Sequence, residues 1–145
     1  MEKNNWHGII LFEYKNPFGD TTVNISFRDE IKDGKNICIV QIIYEGLEVI
    51  KKYNKIEMKE IMEMDYIYFY ELYEKIINLK YNKLLLYDGS TYRDGSLLNI
   101  EIWACKSRLK LEINCYNTDI EKRNLIEINN LLNEIINKLK IEFII

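Results

Sequence analysis

Histidine, proline and alanine are nearly missing from this chain: His7, Pro17 and Ala104 are each the sole example of their kind among 145 residues. One histidine leaves little room for His-centred acid–base catalysis or for most metal sites, which need partners at set spacing. His7 itself lies between Trp6 and Gly8 with no partner motif, and reads as a surface or strand-end residue. Cysteine is also sparse. Cys38, Cys105 and Cys115 share no metal-ligand spacing and, being odd in number, read as reduced thiols and small apolar fillers. There is no CxxC, HExxH or GxSxG motif and no glycine-rich phosphate loop. The expectation is therefore no enzyme, no metal and no cofactor. No stretch approaches the ~20 apolar residues of a membrane span, and the first six residues lack the apolar core of a signal peptide. A cytoplasmic protein with no membrane partner is expected.

Charge of one sign is also lacking. The formal net charge is −3, and basic residues are interspersed with acids. The densest basic group, Lys51, Lys52 and Lys55, runs straight into Glu57, Glu60 and Glu63. Without a basic stripe to displace counterions from phosphates, nucleic acid is not an expected partner.

What is abundant is isoleucine, lysine and asparagine, a bias of AT-rich coding that suggests a low-GC bacterium or its phage. Length and apolar content fit one domain over residues 1–145 with a core of its own. Residues 8–15 are strand-prone, and Asn16 to Asp20 supply a turn. Val23, Ile25 and Phe27 alternate with Asn24, Ser26 and Arg28, the pattern of a half-buried strand. After Asp33-Gly34, residues 36–44 form an apolar run broken only by Gln41, and Leu47 to Tyr53 suggests a short fourth strand. Apolar stripes predict a helix from about Met58 to Leu79. Lys83 to Tyr87 reads as a strand, followed by the turn-rich tip Asp88 to Gly95. Alternation over 98–103 and 108–115 predicts a hairpin. Thr118-x-x-Glu121 is a capping box opening a last helix that runs to about Lys140, and Ile141 to Ile145 suggests a final strand. The order βββ(β)α-βββα describes an α+β domain: an antiparallel sheet of about six to seven strands with two helices on one face.

Two groups of residues are candidate sites. Tyr66, Tyr70 and Tyr73 line one edge of the middle helix, with Glu63, Glu71 and Glu74 on its acidic side. Tyrosine offers large contact area and a hydroxyl, and negative charge would steer a basic partner. The plainer reading is a wide core helix with a solvated acidic face. Asp65 falls within the apolar arc, where a carboxylate needs a partner. The second group is the tip: Asp88 and Asp94 as cation ligands, Ser90 and Thr91 as anion contacts, Arg93 as a clamp. Its plainer reading is two Asp-Gly turns. Asn129, Asn133 and Asn137 read as a neutral solvent face of the last helix.

The segment Leu84-Leu-Leu-Tyr-Asp-Gly-Ser-Thr-Tyr, the hairpin after it and the capped final helix loosely resemble the layout of small bacterial immunity-type proteins over about the last 60 residues. That resemblance carries no catalytic residues. Together with small size and net acidity it implies a non-catalytic binding protein, an immunity protein or phage-encoded inhibitor that neutralises a toxin or defence enzyme by protein–protein contact. The alternative is a small-ligand sensor or sequestering protein that holds a nucleotide or anion in the Asp88–Gly95 loop. A homodimer is compatible with either.

Overall fold

A computed structural model describes residues 8–16, 20–79, 96–104, 107–114 and 124–144. Strands β1 (Ile9–Lys15), β2 (Thr21–Lys32) and β3 (Lys35–Gly46) lead into a short helix, α1 (Leu47–Tyr53). Strand β4 (Glu57–Asp65) and helix α2 (Tyr66–Ile77) follow, then β5 (Leu97–Ala104), β6 (Ser107–Asn114) and α3 (Ile126–Leu139). The strands form one six-stranded sheet in the order β4-β3-β2-β1-β5-β6, with every neighbouring pair antiparallel. The α+β class with helices on one face is as the patterning predicts, except that there are three helices.

Turn chemistry fixes the register. The Asn16 side-chain oxygen accepts from the backbone N–H groups of Asp20 and Thr21, both at 3.1 Å, and closes the β1–β2 connection. Asp33 and Gly34 both have positive φ, 51° and 78°, the two-residue turn whose twist matches its flanking strands. Ile10, Phe12 and Tyr14 then align with Phe27, Ile25 and Val23 on one side and with Ile102, Ile100 and Leu98 on the other. These nine side chains are buried, as are Cys38, Val40, Ile42 and Tyr44 of β3. All three helices cover this face: Val49 from α1, Phe69, Leu72 and Ile76 from α2, and Ile128, Leu132 and Ile135 from α3 belong to one core. Phe27 meets Phe12 edge-on at 6.0 Å and Tyr68 at 5.8 Å.

Three expectations are corrected. Leu47–Tyr53 is helix, because Gly46 at φ 119° turns the chain out of β3 and Thr21 Oγ1 accepts from the Glu48 N–H at 3.1 Å within the first turn. Asn54, left-handed at φ 56°, ends that helix after seven residues. The stretch from Met58 to Asp65 is strand: Met58, Met62 and Met64 alternate with Ile61, Glu63 and Asp65 along the edge of β3. Residues 141–144 form no strand. Ile141 tucks into the core and Phe143 meets the Tyr44 ring edge-on at 5.5 Å. Helix α3 starts at Ile126. The expected strand Lys83–Tyr87, the Asp88–Gly95 tip, the Thr118–Glu121 box, His7, Cys105 and Cys115 lie outside the described residues.

The C-terminal segment is clamped to α1. Glu142 accepts hydrogen bonds from Lys52 Nζ and the Tyr53 hydroxyl, while its backbone N–H donates to the Tyr44 hydroxyl at 3.3 Å. The bonds from Lys52 and then Tyr53 hold the Glu142 carboxyl below its ordinary pKa.

Two predictions arise here. A Cβ on Gly46 would lie 2.1 Å from the Asp20 carbonyl oxygen, in a backbone region L-residues avoid. Gly46→Ala is expected to cost about 2 kcal/mol or more in urea unfolding, whereas Gly34→Ala meets no atom and should cost about 1 kcal/mol. For Glu142, the depressed folded pKa means its contribution is present above the unfolded carboxylate value and lost as pH falls through the folded one. Glu142→Gln should therefore flatten part of the acid limb of the stability–pH curve below about pH 4.5, read as urea midpoints across pH.

Candidate functional site

No helix among the described residues covers the sheet's second face. Antiparallel strands repeat every two residues, so the register that buries Phe12 turns its neighbours outward in rows across the sheet. One row runs Lys59, Ile43, Asn24, Glu13, Asn99, Glu112 from β4 to β6. The next runs Ile61, Gln41, Ser26, Leu11, Glu101, Lys110, and a third runs Glu63, Ile39, Arg28, Ile9, Trp103, Arg108. A face meant only for water would alternate cleanly to polar side chains. This one presents Ile9, Leu11, Ile37, Ile39, Ile43 and Leu97, all half-buried, with Ile61 and Trp103 exposed.

The middle of the face is a cleft of about 460 Å³, walled by Leu11 and Ile43 and lined by Glu13, Asn24, Ser26, Gln41, Asn99, Glu101 and Lys110. Its volume lies within the range of small-molecule sites, and it opens directly to the surrounding apolar residues. Asn99 Nδ2 donates to Glu13 Oε1 at 2.8 Å. The Asn99 carbonyl oxygen is shielded from solvent and has no hydrogen-bond partner among the described residues. A buried acceptor without a donor is costly, and a site that awaits a donor is one reason to keep it. Glu101 is held between Lys110 at 3.7 Å and the Trp103 indole N–H at 3.4 Å, and the Arg108 guanidinium stacks 3.6 Å from the Trp103 ring centre. Trp103 and Arg108 thus form a braced corner beside the cleft.

Among the described residues, those singled out from sequence do not form one surface. Glu63 lies on β4, on the open face, paired with Lys32 at 2.7 Å. Tyr66 and Tyr73 pack against the core, Tyr66 stacked on Phe69 at 6.5 Å, and burial raises the Tyr66 pKa. Of the three tyrosines only Tyr70 is exposed, on the outer side of α2 with Glu71, and a hydrogen bond to Glu74 raises its hydroxyl pKa. Asp65 needs no partner's cation: it caps α2, its Oδ1 accepting from the Ile67 N–H at 2.9 Å. Asp88, Ser90, Thr91, Arg93 and Asp94 lie outside the described residues. Little in the local sequence pattern marks the cleft. Its one visible signal was Gln41, a lone amide inside the apolar run of β3.

Among the described residues no group of three His, Cys, Asp or Glu side chains is placed to hold a metal ion. No described helix is long and apolar enough to cross a membrane. Comparison of the sequence with protein-family models and with curated proteins finds no match.

If the Glu13–Asn99 pair is kept for binding, the fold should not need it. Replacing both with leucine removes a polar pair together, a change expected to leave stability within about 1 kcal/mol of the parent or above it. Chemical denaturation checks this, and a loss of several kcal/mol would make the pair structural.

Proposed function

We propose that this chain is a non-catalytic binding protein that docks a protein target on the uncovered face of its sheet, an inhibitor or immunity-type role. The observation that carries the reading is the composition of that face. Eight large apolar residues are dispersed among amides, carboxylates and cations around one cleft, as in a recognition surface whose apolar centre is rimmed by polar groups. Trp103, braced by Arg108, is the kind of rigid aromatic anchor that carries binding energy. Unlike the outer edge of α2, which offers Tyr70 alone of its three tyrosines, the sheet face is broad, and its hydrogen-bonded strands make it rigid.

One observation favours a second reading. The unpartnered Asn99 carbonyl and the polar groups of the cleft also suit a small ligand with hydrogen-bond donors, seated between Glu13 and Gln41.

Photo-cross-linking in the producing cell separates these. A benzoylphenylalanine at Ile39 or Ile9 should capture one discrete protein, and the same residue at Asn133 on α3 should not. Against that captured target, Trp103→Ala should weaken binding by roughly ten-fold or more, while Tyr70→Ala and Glu71→Lys leave it unchanged. Cross-links only from α3 or α2 would overturn the assignment of the face. A native mass spectrum with a small-molecule adduct, lost in the Asn99→Leu variant, would move the function to the second reading.

A further inference from the structure

The three most exposed large apolar residues of the described chain all mark one place. Ile56 is 78% exposed, Ile61 64% and Ile67 53%, and they lie just before, at the middle of, and just after strand β4. That strand of nine residues is an edge of the sheet, and the outward-pointing N–H and C=O groups of about every second residue meet no neighbouring strand among the described residues. Long edges are ready templates for a further strand, and natural proteins guard them with charge or cover them.

We infer that a second copy of this chain covers it, the two β4 strands pairing antiparallel about a two-fold axis through Ile61. The register follows from the strand itself. Ile61 is the midpoint of Glu57–Asp65, so pairing about it overlaps the whole strand, and an axis normal to the sheet keeps each side chain on its own face. Lys59 then faces Glu63 of the second copy, and Glu63 faces its Lys59, two complementary pairs on the open face. Lys59 makes no ion pair within its own chain among the described residues, and Glu63 uses only Oε2 toward Lys32. Ile61 meets its own symmetry mate, and Met58 faces Met64 on the helix side. Ile56 of one chain comes opposite Tyr66, beside Ile67, of the other. Sliding by one face-preserving step spoils this: centring on Glu60 sets Glu57 against Glu63, and centring on Met62 sets Ile61 against Glu63. The like-charged pair in the chosen register, Glu57 with Asp65, falls at the ends, where strands fray.

Such pairing makes one twelve-stranded sheet from two of six, with both uncovered faces on the same side. The inference stands on the strand edge alone and survives if no target docks on the face.

Sedimentation over a concentration series tests it. The wild-type chain is expected to approach twice its 17.5 kDa mass as concentration rises. Lys59→Glu and Glu63→Lys should each weaken association roughly ten-fold, since each turns both ion pairs repulsive, and the double variant should restore it. Rescue by the swap cannot arise from loss of the Lys32 contact. Ile61→Lys should sediment as a monomer with unchanged circular dichroism, its side chain being outside the core. A wild-type monomer at every concentration would overturn the pairing and leave the β4 charges as guards of a lone edge. A dimer indifferent to all four variants would overturn it as well.

Discussion

Strict two-residue alternation across β1, β2, β3 and β5 is the constraint on which the rest depends. Because Ile10, Phe12, Tyr14 and their cross-strand partners must all face one way, Leu11, Glu13, Asn24, Ser26, Gln41 and Asn99 must all face the other. A slip of one residue between β1 and β2 would turn one strand's apolar row outward and set Glu13 or Arg28 against the core, a cost comparable to the whole stability of a domain. The core and the cleft are therefore two sides of one register. The cleft floor is rigid because the core behind it is close-packed, and its polar rows stay in line because the turns at Asn16 and at Asp33-Gly34 admit no other pairing.

Legibility in the sequence followed the same constraint. Where alternation is strong, as in Val23 to Phe27, Leu98 to Ile102 and Leu109 to Ile113, strand and face could be read directly. Where a strand's residues also fit a 3.6-residue period, they could not. Met58, Ile61, Met62 and Asp65 fit a helical stripe, and methionine, glutamate and lysine are good helix formers. The Asp65 cap shows the true start of the helix, yet beside that stripe it read as a misplaced carboxylate. Leu47–Tyr53 failed in the other direction. Its helical start depends on Gly46 and on a hydroxyl from Thr21, a residue 27 positions away that no local window contains. The cleft stayed hidden for a related reason. It draws one to three residues from each of five strands, and only the strand order β3-β2-β1-β5-β6 brings them into adjacent rows.

Cover of the sheet is uneven along its width as well as between its faces. Helix α2 lies over β2, β3 and β4, where Tyr68 reaches Phe27, and α3 leans on α2 through Lys75 and Glu134 at 2.8 Å. Met58, Glu60, Met62 and Met64 are consequently only half-buried although they face the helices. An edge strand rich in flexible thioethers, with charges on both faces, packs less specifically than the centre. It is the part of the sheet that can accept another strand without disturbing the core.

The chemistry at hand in the cleft bears on the kind of work it can do. Catalysis draws on groups whose pKa has been moved toward the working pH and aimed at a substrate. Among the described residues the two groups moved furthest, Cys38 and Tyr68, are each pushed up to about 12, chiefly by burial. Both lie on the helix side of the sheet, where the shift keeps them protonated and inert. The cleft on the other side offers amides, a hydroxyl, an aliphatic wall and carboxylates engaged with Asn99, Lys110 or Trp103. Those groups are suited to hold and orient a ligand. In the binding role proposed above, a surface so furnished would discriminate among partners by which donors it can satisfy, most sharply at the bare Asn99 carbonyl.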